Sequence, residues 1–249
     1  MAEHERYAVV SCHVERPLDD RVWARFARLQ DRSPGGFRIA ALMRPADPAH
    51  GEDEDAWVAR AAAAAARGPL GHHTHWTAPD HARPTGGDPA ARVRSEGVRL
   101  RELGLAPSLF CGGGWYADGD VAAACAELGY ADCTATAYRP AYLPAGAPRF
   151  ALAAPARVRL PDGRLVLELP STHSLGMAAR EAVRPAGPGG DVVHFHFHDT
   201  DLLDRRRSSA LVWTLRALAR RRLATDLDEL AARIGETAPV VALEQVATT

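Results

Sequence analysis

Short apolar runs alternate with amphipathic segments along most of this chain, and that alternation restricts the fold more than any other feature. Tyr7-Ala8-Val9-Val10-Ser11-Cys12 reads as a buried parallel strand. Asp19 or Asp20 then caps a helix with Val22, Trp23, Phe26 and Leu29 on one stripe. A strand over 37–43 precedes a helix that starts in the acidic segment 52–55, where negative charge suits the helix dipole, and runs through Ala66. After a histidine-rich stretch and a polar loop to Gly87, Asp88-Pro89 opens a helix reaching about Leu103. Further on, the pattern predicts strands over 108–111, 130–138 and 191–199, with helices over 119–128, 204–222 and 226–234. Residues 157–169 alternate around Pro161-Asp162-Gly163 and read as a hairpin with an Asp-Gly turn. Residues 236–249 read as a tail that frays. Strands alternating with helices call for a parallel sheet, open or closed. No glycine-rich fingerprint follows the first strand and no P-loop is present, so a nucleotide fold lacks support.

At 249 residues, with 47% hydrophobic and 24% charged residues, the composition is that of a globular domain. Thirty basic and 31 acidic residues leave a net charge of −1, which argues against nucleic acid or a membrane surface as partner. No apolar run is long enough to span a bilayer, and the charged start lacks the apolar stretch of a signal peptide, so the cytoplasm is the expected compartment. Cys12, Cys111, Cys125 and Cys133 show no CxxC spacing and are expected as free thiols.

The polar residues fall in a pattern of their own. His13 and Glu15, His73 and His75, Gly112 to Trp115, and His198 with Asp199 all sit at or just past the C-terminal ends of expected strands. In a parallel α/β barrel that end carries the active site. Gly71-His72-His73-Thr74-His75-Trp76 places three imidazoles in four residues, and on an extended backbone His73 and His75 share one face. Neutral imidazole is the commonest protein ligand of divalent metals, but two such ligands need a third from elsewhere. In His194-Phe195-His196-Phe197-His198-Asp199 the histidines share a face too. His194 and His196 read as hydrogen-bonded core residues. His198, with Asp199 and Asp201 as orienting carboxylates, reads as functional.

This order of parts resembles the polysaccharide deacetylases, the family-four carbohydrate esterases. Leu70-Gly71-His72-His73-Thr74 is similar to the family's Ile-Gly-x-His-Thr, and Phe197-His198-Asp199 to its closing Leu-x-His-Asp region. Phe110-Cys111-Gly112-Gly113-Gly114-Trp115, then Asp118 and a helix ending Leu128-Gly129-Tyr130, resembles its Phe-Arg-x-Gly-Gly, helix, Leu-Gly-Tyr segment. The resemblance covers residues 7 to about 234 and implies one domain, a distorted (β/α) barrel of about seven parallel strands. It also implies a divalent metal, zinc, held by one carboxylate and two histidines. His73 takes the first histidine position. The second falls at Thr77, so His75 substitutes for it, with His81 as the alternative.

Two departures stand out. Where the family offers paired aspartates after strand one, this chain has His13-Val14-Glu15, so Glu15 takes the metal carboxylate and His13 the base position. Cys111 stands where the family has an arginine that pairs with the base. Losing both charges together avoids an unpaired buried cation. Asp19-Asp20 at a helix start read as caps rather than displaced ligands. The resemblance thus implies a metal-dependent hydrolase that removes acetyl from an N-acetylated sugar or similar small-molecule amide. His13 would be the base, with a pKa near the ordinary imidazole value of about 6.5, and His198 the acid. Trp76, Gly113, Gly114, Trp115, Tyr116 and His173 are the substrate-binding candidates, the glycine turn through its backbone amides. The alternatives are a non-catalytic, ligand-binding member of the fold and a cytoplasmic hydrolase of a non-sugar amide.

Overall fold

Strand β1 (Tyr7–Val14) lies inside an eleven-stranded sheet, where it pairs with three other strands and carries His13 toward the functional end. The computed structural model describes residues 5–140 and 143–248; the remaining residues, 1–4 of the charged start, 141–142 and 249 of the expected tail, lie outside that set. After β1 come α1 (Asp20–Arg32), β2 (Ala40–Met43), α2 (Glu54–Ala65), β3 (Leu70–Thr74), α3 (Pro89–Glu102), β4 (Leu109–Gly112), α4 (Gly119–Leu128) and β5 (Ala131–Asp132). The second half adds β6 (Arg149–Phe150), β7 (Ala156–Arg159), β8 (Leu165–Glu168), β9 (His173–Ser174), α5 (Leu175–Ala182), β10 (Val192–His198) and α6 (Arg205–Ala219). It ends with β11 (Leu223–Ala224), α7 (Leu227–Ile234), β12 (Val240–Ala242), α8 (Leu243–Val246) and β13 (Ala247–Thr248).

The sheet runs β12-β7-β8-β5-β4-β3-β2-β1-β10-β9, with β11 alongside β1. All its pairings are parallel except the β7–β8 hairpin, whose turn is the Asp162-Gly163 expected from sequence. The fold is therefore mixed α/β with a mostly parallel sheet. The hydrogen-bonded order among the described residues is a path with two ends, not a closed ring.

Alternation along β1 explains the layering. Ala8, Val10, Cys12 and Val14 face a cluster with Phe26, Trp57 and Leu215 under the helices. Val9 packs with Leu42, Leu109, Cys111 and Leu169 in a separate inner cluster, floored by Leu227 and Leu230 of α7. Ser11, His13 and Glu15 follow Val9 on that inner face, because strand side chains repeat every two residues. Gly71 is needed where β3 passes this core: a Cβ there would meet Leu42 Cδ2 at 2.3 Å.

Caps set the helix starts. Asp19, not Asp20, accepts the N–H groups of Arg21 and Val22, while Asp20 pairs with Arg60. Asp53, Asp88, Asp118, Asp204 and Asp226 cap α2, α3, α4, α6 and α7. One expectation fails. The strand expected over 130–138 is regular only at Ala131–Asp132, because beyond it the backbone bonds individually to Ser171 and Phe150. In the described part of the tail β12 pairs with β7 and β13 with β6. The four cysteines are free and buried.

Candidate functional site

Parallel pairing brings the sequence-distant polar residues together. The register sets His13 beside His198 and His73 beside Cys111 at the C-terminal ends of β1, β10, β3 and β4. His13 lies 4.8 Å from His73, 5.2 Å from His196 and 5.2 Å from His198, ring centre to ring centre. Glu15, the residue after β1, turns its carboxylate into this group. Its Oε2 is 2.7 Å from His75 Nε2, and its Oε1 is 3.3 Å from His73 Nε2 and 3.9 Å from His198 Nε2.

The orientation of the two β3 imidazoles is fixed from behind. His73 Nδ1–H donates to the Cys111 carbonyl at 2.8 Å, and His75 Nδ1–H to the Pro79 carbonyl at 2.6 Å. Each ring therefore presents Nε2 as a lone pair toward Glu15, the arrangement of metal-ligating histidines held by backbone oxygens. The His75–Glu15 approach is not aligned as a hydrogen bond, so that buried Nε2 has no proton partner. Two lone pairs facing a carboxylate repel unless positive charge lies between them.

Three donor sets could hold a cation, each with atoms within 4.8 Å of one another: Glu15/His73/His75, His13/Glu15/His198 and His13/His73/Cys111. The last is disfavoured because burial pushes the Cys111 thiol up, away from the thiolate a metal needs. In the second, the 3.9 Å approach of His198 Nε2 to Glu15 is longer than either approach in the first. The first has the closest approaches and both rings locked. Burial would raise Glu15, but protonated His73 and His75 rings would outweigh it through hydrogen bonds and charge and hold the carboxylate below its usual range. Burial lowers His73 against the opposing pull of Glu15. Both shifts are downward, leaving a carboxylate against an imidazole nitrogen that does not favour a proton, a set that could hold a cation.

Around this centre the remaining candidates divide. His13 is buried, at 3% exposure, and sits 3.8 Å from Cys111 Sγ through Nε2. Burial, then the neighbouring imidazoles of His73, His198 and His196, holds it well below the ordinary histidine value. The expected pKa near 6.5 is thus corrected downward. The His198 side chain is 40% exposed and stands at the entrance. Trp115 joins the site, 5.0 Å from His13 and 4.7 Å from His196, on a backbone with φ of 62°. A bulky residue rarely adopts that conformation, and such strain gathers at functional sites.

Several expectations are overturned by geometry. Neither Asp199 nor Asp201 touches the His198 ring. Asp199 is buried and its Oδ2 accepts the N–H of Arg16 at 2.9 Å, so it holds the backbone just past the residue that carries the carboxylate. Asp201 accepts the His198 backbone N–H at 3.0 Å and pairs with Arg207. Trp76 is packed in the layer under α3 and α4, its Nε1–H spent on the Gly113 carbonyl and its ring 5.3 Å from Tyr116. Tyr116 donates to Asp118. Gly113 and Gly114 lie where the backbone passes close to the loop reaching Ala82. A Cβ on Gly113 would meet the Thr74 and Ala82 carbonyls at 2.5 and 2.6 Å, so the glycines permit close backbone passage. His173 is engaged by Thr172 and by Glu181 of α5. His81 pairs with Asp80 at the surface, and Asp20 with Arg60, so neither enters the donor set.

Two groups escaped the sequence reading. His194 is a hydrogen-bonded core residue, between Ser11 and the Leu169 carbonyl, as expected. His196 is not: its buried Nδ1 has no partner and its ring stacks on His13. The alternation that places His198 inward was the available signal. The second group lies behind β3, where His72 and Thr74 bond Glu96 of α3 at 2.8 and 2.9 Å and Arg92 completes the network. No spacing in the sequence announces that contact. A cavity of about 490 Å³ opens beside Glu15, His75 and Arg16, and another of about 380 Å³ beside His196 and His198.

No family model matches this chain, and no curated protein matches it. Among solved structures it is similar in fold to the 4-alpha-glucanotransferase from Thermococcus litoralis, with a TM-score of 0.54 and 12% identity. The match covers 91% of this chain and 38% of that one, so the chain spans well under half of that enzyme's length. Among the described residues, no helix is long and apolar enough to cross a membrane.

Proposed function

We propose that this chain is a metal-dependent hydrolase that removes an acyl group, acetyl foremost, from an N-acylated sugar or similar small amide, as a divergent relative of the polysaccharide deacetylases. The observation that carries the reading is the Glu15 carboxylate faced by the Nε2 atoms of His73 and His75, both rings locked through Nδ1 to backbone carbonyls. These three residues would hold a divalent ion, zinc by its preference for imidazole and carboxylate donors. Bound there, the ion would supply Lewis-acid polarisation of the acyl oxygen and activation of water.

The remaining steps belong to this chain's own side chains. His13, kept neutral by burial, accepts a proton at a ring nitrogen. His198, half-exposed at the entrance, delivers one to the leaving amine. Substrate reaches them through the cavities flanking Glu15 and His198, with Trp115 packed against the imidazoles as an apolar wall. The same reading takes the sheet as a distorted barrel of about seven strands. The continuous stretch 165–174 supports it, pairing with β5 through Glu168 and with β10 through His173 and Ser174.

Glycosyl transfer, the activity named for the structural neighbour, fits this site less well. Glycoside chemistry commonly uses two carboxylates flanking the bond. Here Glu15 faces histidines, Asp199 is turned to the backbone N–H of Arg16 and Asp201 is paired with Arg207. A non-catalytic ligand-binding role is the second reading, favoured by the burial of His13 against the neutral Cys111. Metal analysis of the purified protein, run with acetate release from a panel of N-acetyl sugars and simpler amides, separates them. Bound metal with acetate release that disappears in His198→Ala supports the hydrolase; metal without turnover supports the binding role; absence of metal overturns both.

A further inference from the structure

The charged residues of α1 are sorted by face. Its two carboxylates point toward α2, where Asp20 pairs with Arg60 and Asp31 with Arg67. Its arginines, Arg21, Arg25, Arg28 and Arg32, line a cavity of about 340 Å³ between α1 and α6, floored by Leu29 and Val212. No carboxylate lines that cavity, and α6 contains no acidic residue. Elsewhere in the described chain arginines on helix faces are often set against carboxylates, as Arg60, Arg94 and Arg99 are. Among the described residues, none of the four cleft arginines has a carboxylate partner. Arg25 is used in part, donating to the Leu202 carbonyl at 2.9 Å.

Four unpaired guanidinium groups along one helix face repel one another, and in a chain of net charge −1 nothing about the overall balance requires them there. They are spaced i, i+4, i+7 and i+11, so the row extends about 16 Å at 1.5 Å per residue. A single small anion would meet two neighbours at most, whereas an anion carrying several phosphoryl groups would meet more. The guanidinium fork matches phosphate oxygens bidentately, and the apolar floor accepts a carbon body.

We propose that the α1–α6 cleft binds a phosphoanion of two or more charges, held by Arg21, Arg28 and Arg32 with Arg25 fixing the cleft wall. The ligand chemistry is shared by free diphosphate compounds and by phosphate-bearing lipid headgroups. The cleft lies on the helix layer outside the inner face that carries Glu15 and the histidines, so the inference does not depend on the metal reading.

The test uses the full chain at low salt, both as purified and after chelator treatment. Calorimetry with inorganic pyrophosphate tests the free source; co-sedimentation with phosphatidylcholine vesicles, with and without phosphatidate, tests the lipid source. Saturable binding to either probe is expected. It should survive chelation, weaken with added salt, fall by about tenfold or more in Arg28→Ala/Arg32→Ala and recover in part with lysine at both positions. Both side chains are exposed, so the variant should keep the parent Tm, which is measured alongside. Arg94→Ala, on α3, serves as the control that leaves binding unchanged. Absence of binding to both probes at millimolar concentration overturns the proposal. So does binding that is lost on chelation or indifferent to the double substitution.

Discussion

His13 Nε2 lies 3.8 Å from Cys111 Sγ, so the two residues that depart from the deacetylase pattern are in contact with each other. Neither group carries a charge in this buried position, since burial lowers the imidazole and raises the thiol. Cys111→Arg alone therefore places an uncompensated cation at a fully buried site and should destabilise the chain by about 3 kcal/mol or more. His13→Asp combined with Cys111→Arg should recover a coupling of about 1–3 kcal/mol, read by urea denaturation of the single and double variants. Additive losses would mean the two positions act independently.

Histidine 75, rather than histidine 81, is expected to govern metal retention. His75→Ala should weaken binding of a divalent ion by more than about 100-fold, a larger effect than loss of an outer partner. His81→Ala, at an exposed ring paired with Asp80, should leave it unchanged. Competition of each variant against a zinc chelator measures both. Equal effects would remove His75 from the donor set.

Asp199 should act on the metal without touching it. Its carboxylate accepts the Arg16 N–H at 2.9 Å, next to Glu15 in the chain, while Arg44 donates to the Glu15 carbonyl at 3.2 Å. Asp199→Ala should lower metal affinity by roughly 10-fold, and Asp199→Asn, which keeps an acceptor oxygen, should restore part of it. Titration of zinc into each variant decides this. An unchanged affinity in Asp199→Ala would reduce the clamp to a structural detail.

A pH effect on stability should come from a different place. Asp132 and Glu168 are paired in register on β5 and β8, both fully buried, with Asp132 Oδ2 and both Glu168 oxygens lacking partners if both acids are ionised. Burial, then the charge of Asp132, raises Glu168 well above its usual value, so the folded pair retains a proton. A raised folded value gives stability that is present below the unfolded pKa and lost as pH rises through the folded one. The chain should lose stability as pH rises above about 4.5. Glu168→Gln should flatten that loss and stabilise the fold at pH 8 by on the order of 1–2 kcal/mol, measured by denaturation across pH. A parallel pH profile in the variant would show that the pair shares no proton.

The sequence by itself determined most of the central strands and the helices, and the face shared by the histidines of each strand, because these depend on local periods of two and 3.6 residues and on short-range hydrogen bonds. His73 and His75 share a face for that reason, and Asp88 caps where it was expected to. What the local pattern could not carry is which element passes behind a side chain. Trp76, Gly113 and Gly114 looked like site residues by position, but the loop reaching Ala82 fills the space they would have faced. Asp199 looked like a partner of the adjacent His198 and instead reaches Arg16, 183 positions away. His196 looked like core and lies among the imidazoles, since the inner face stays polar up to the level of Ser11. Glu15 meets His73 across 58 residues only because β1, β2 and β3 pair in parallel register. Local chemistry selected the residues, and the long-range packing of the sheet decided which of them meet.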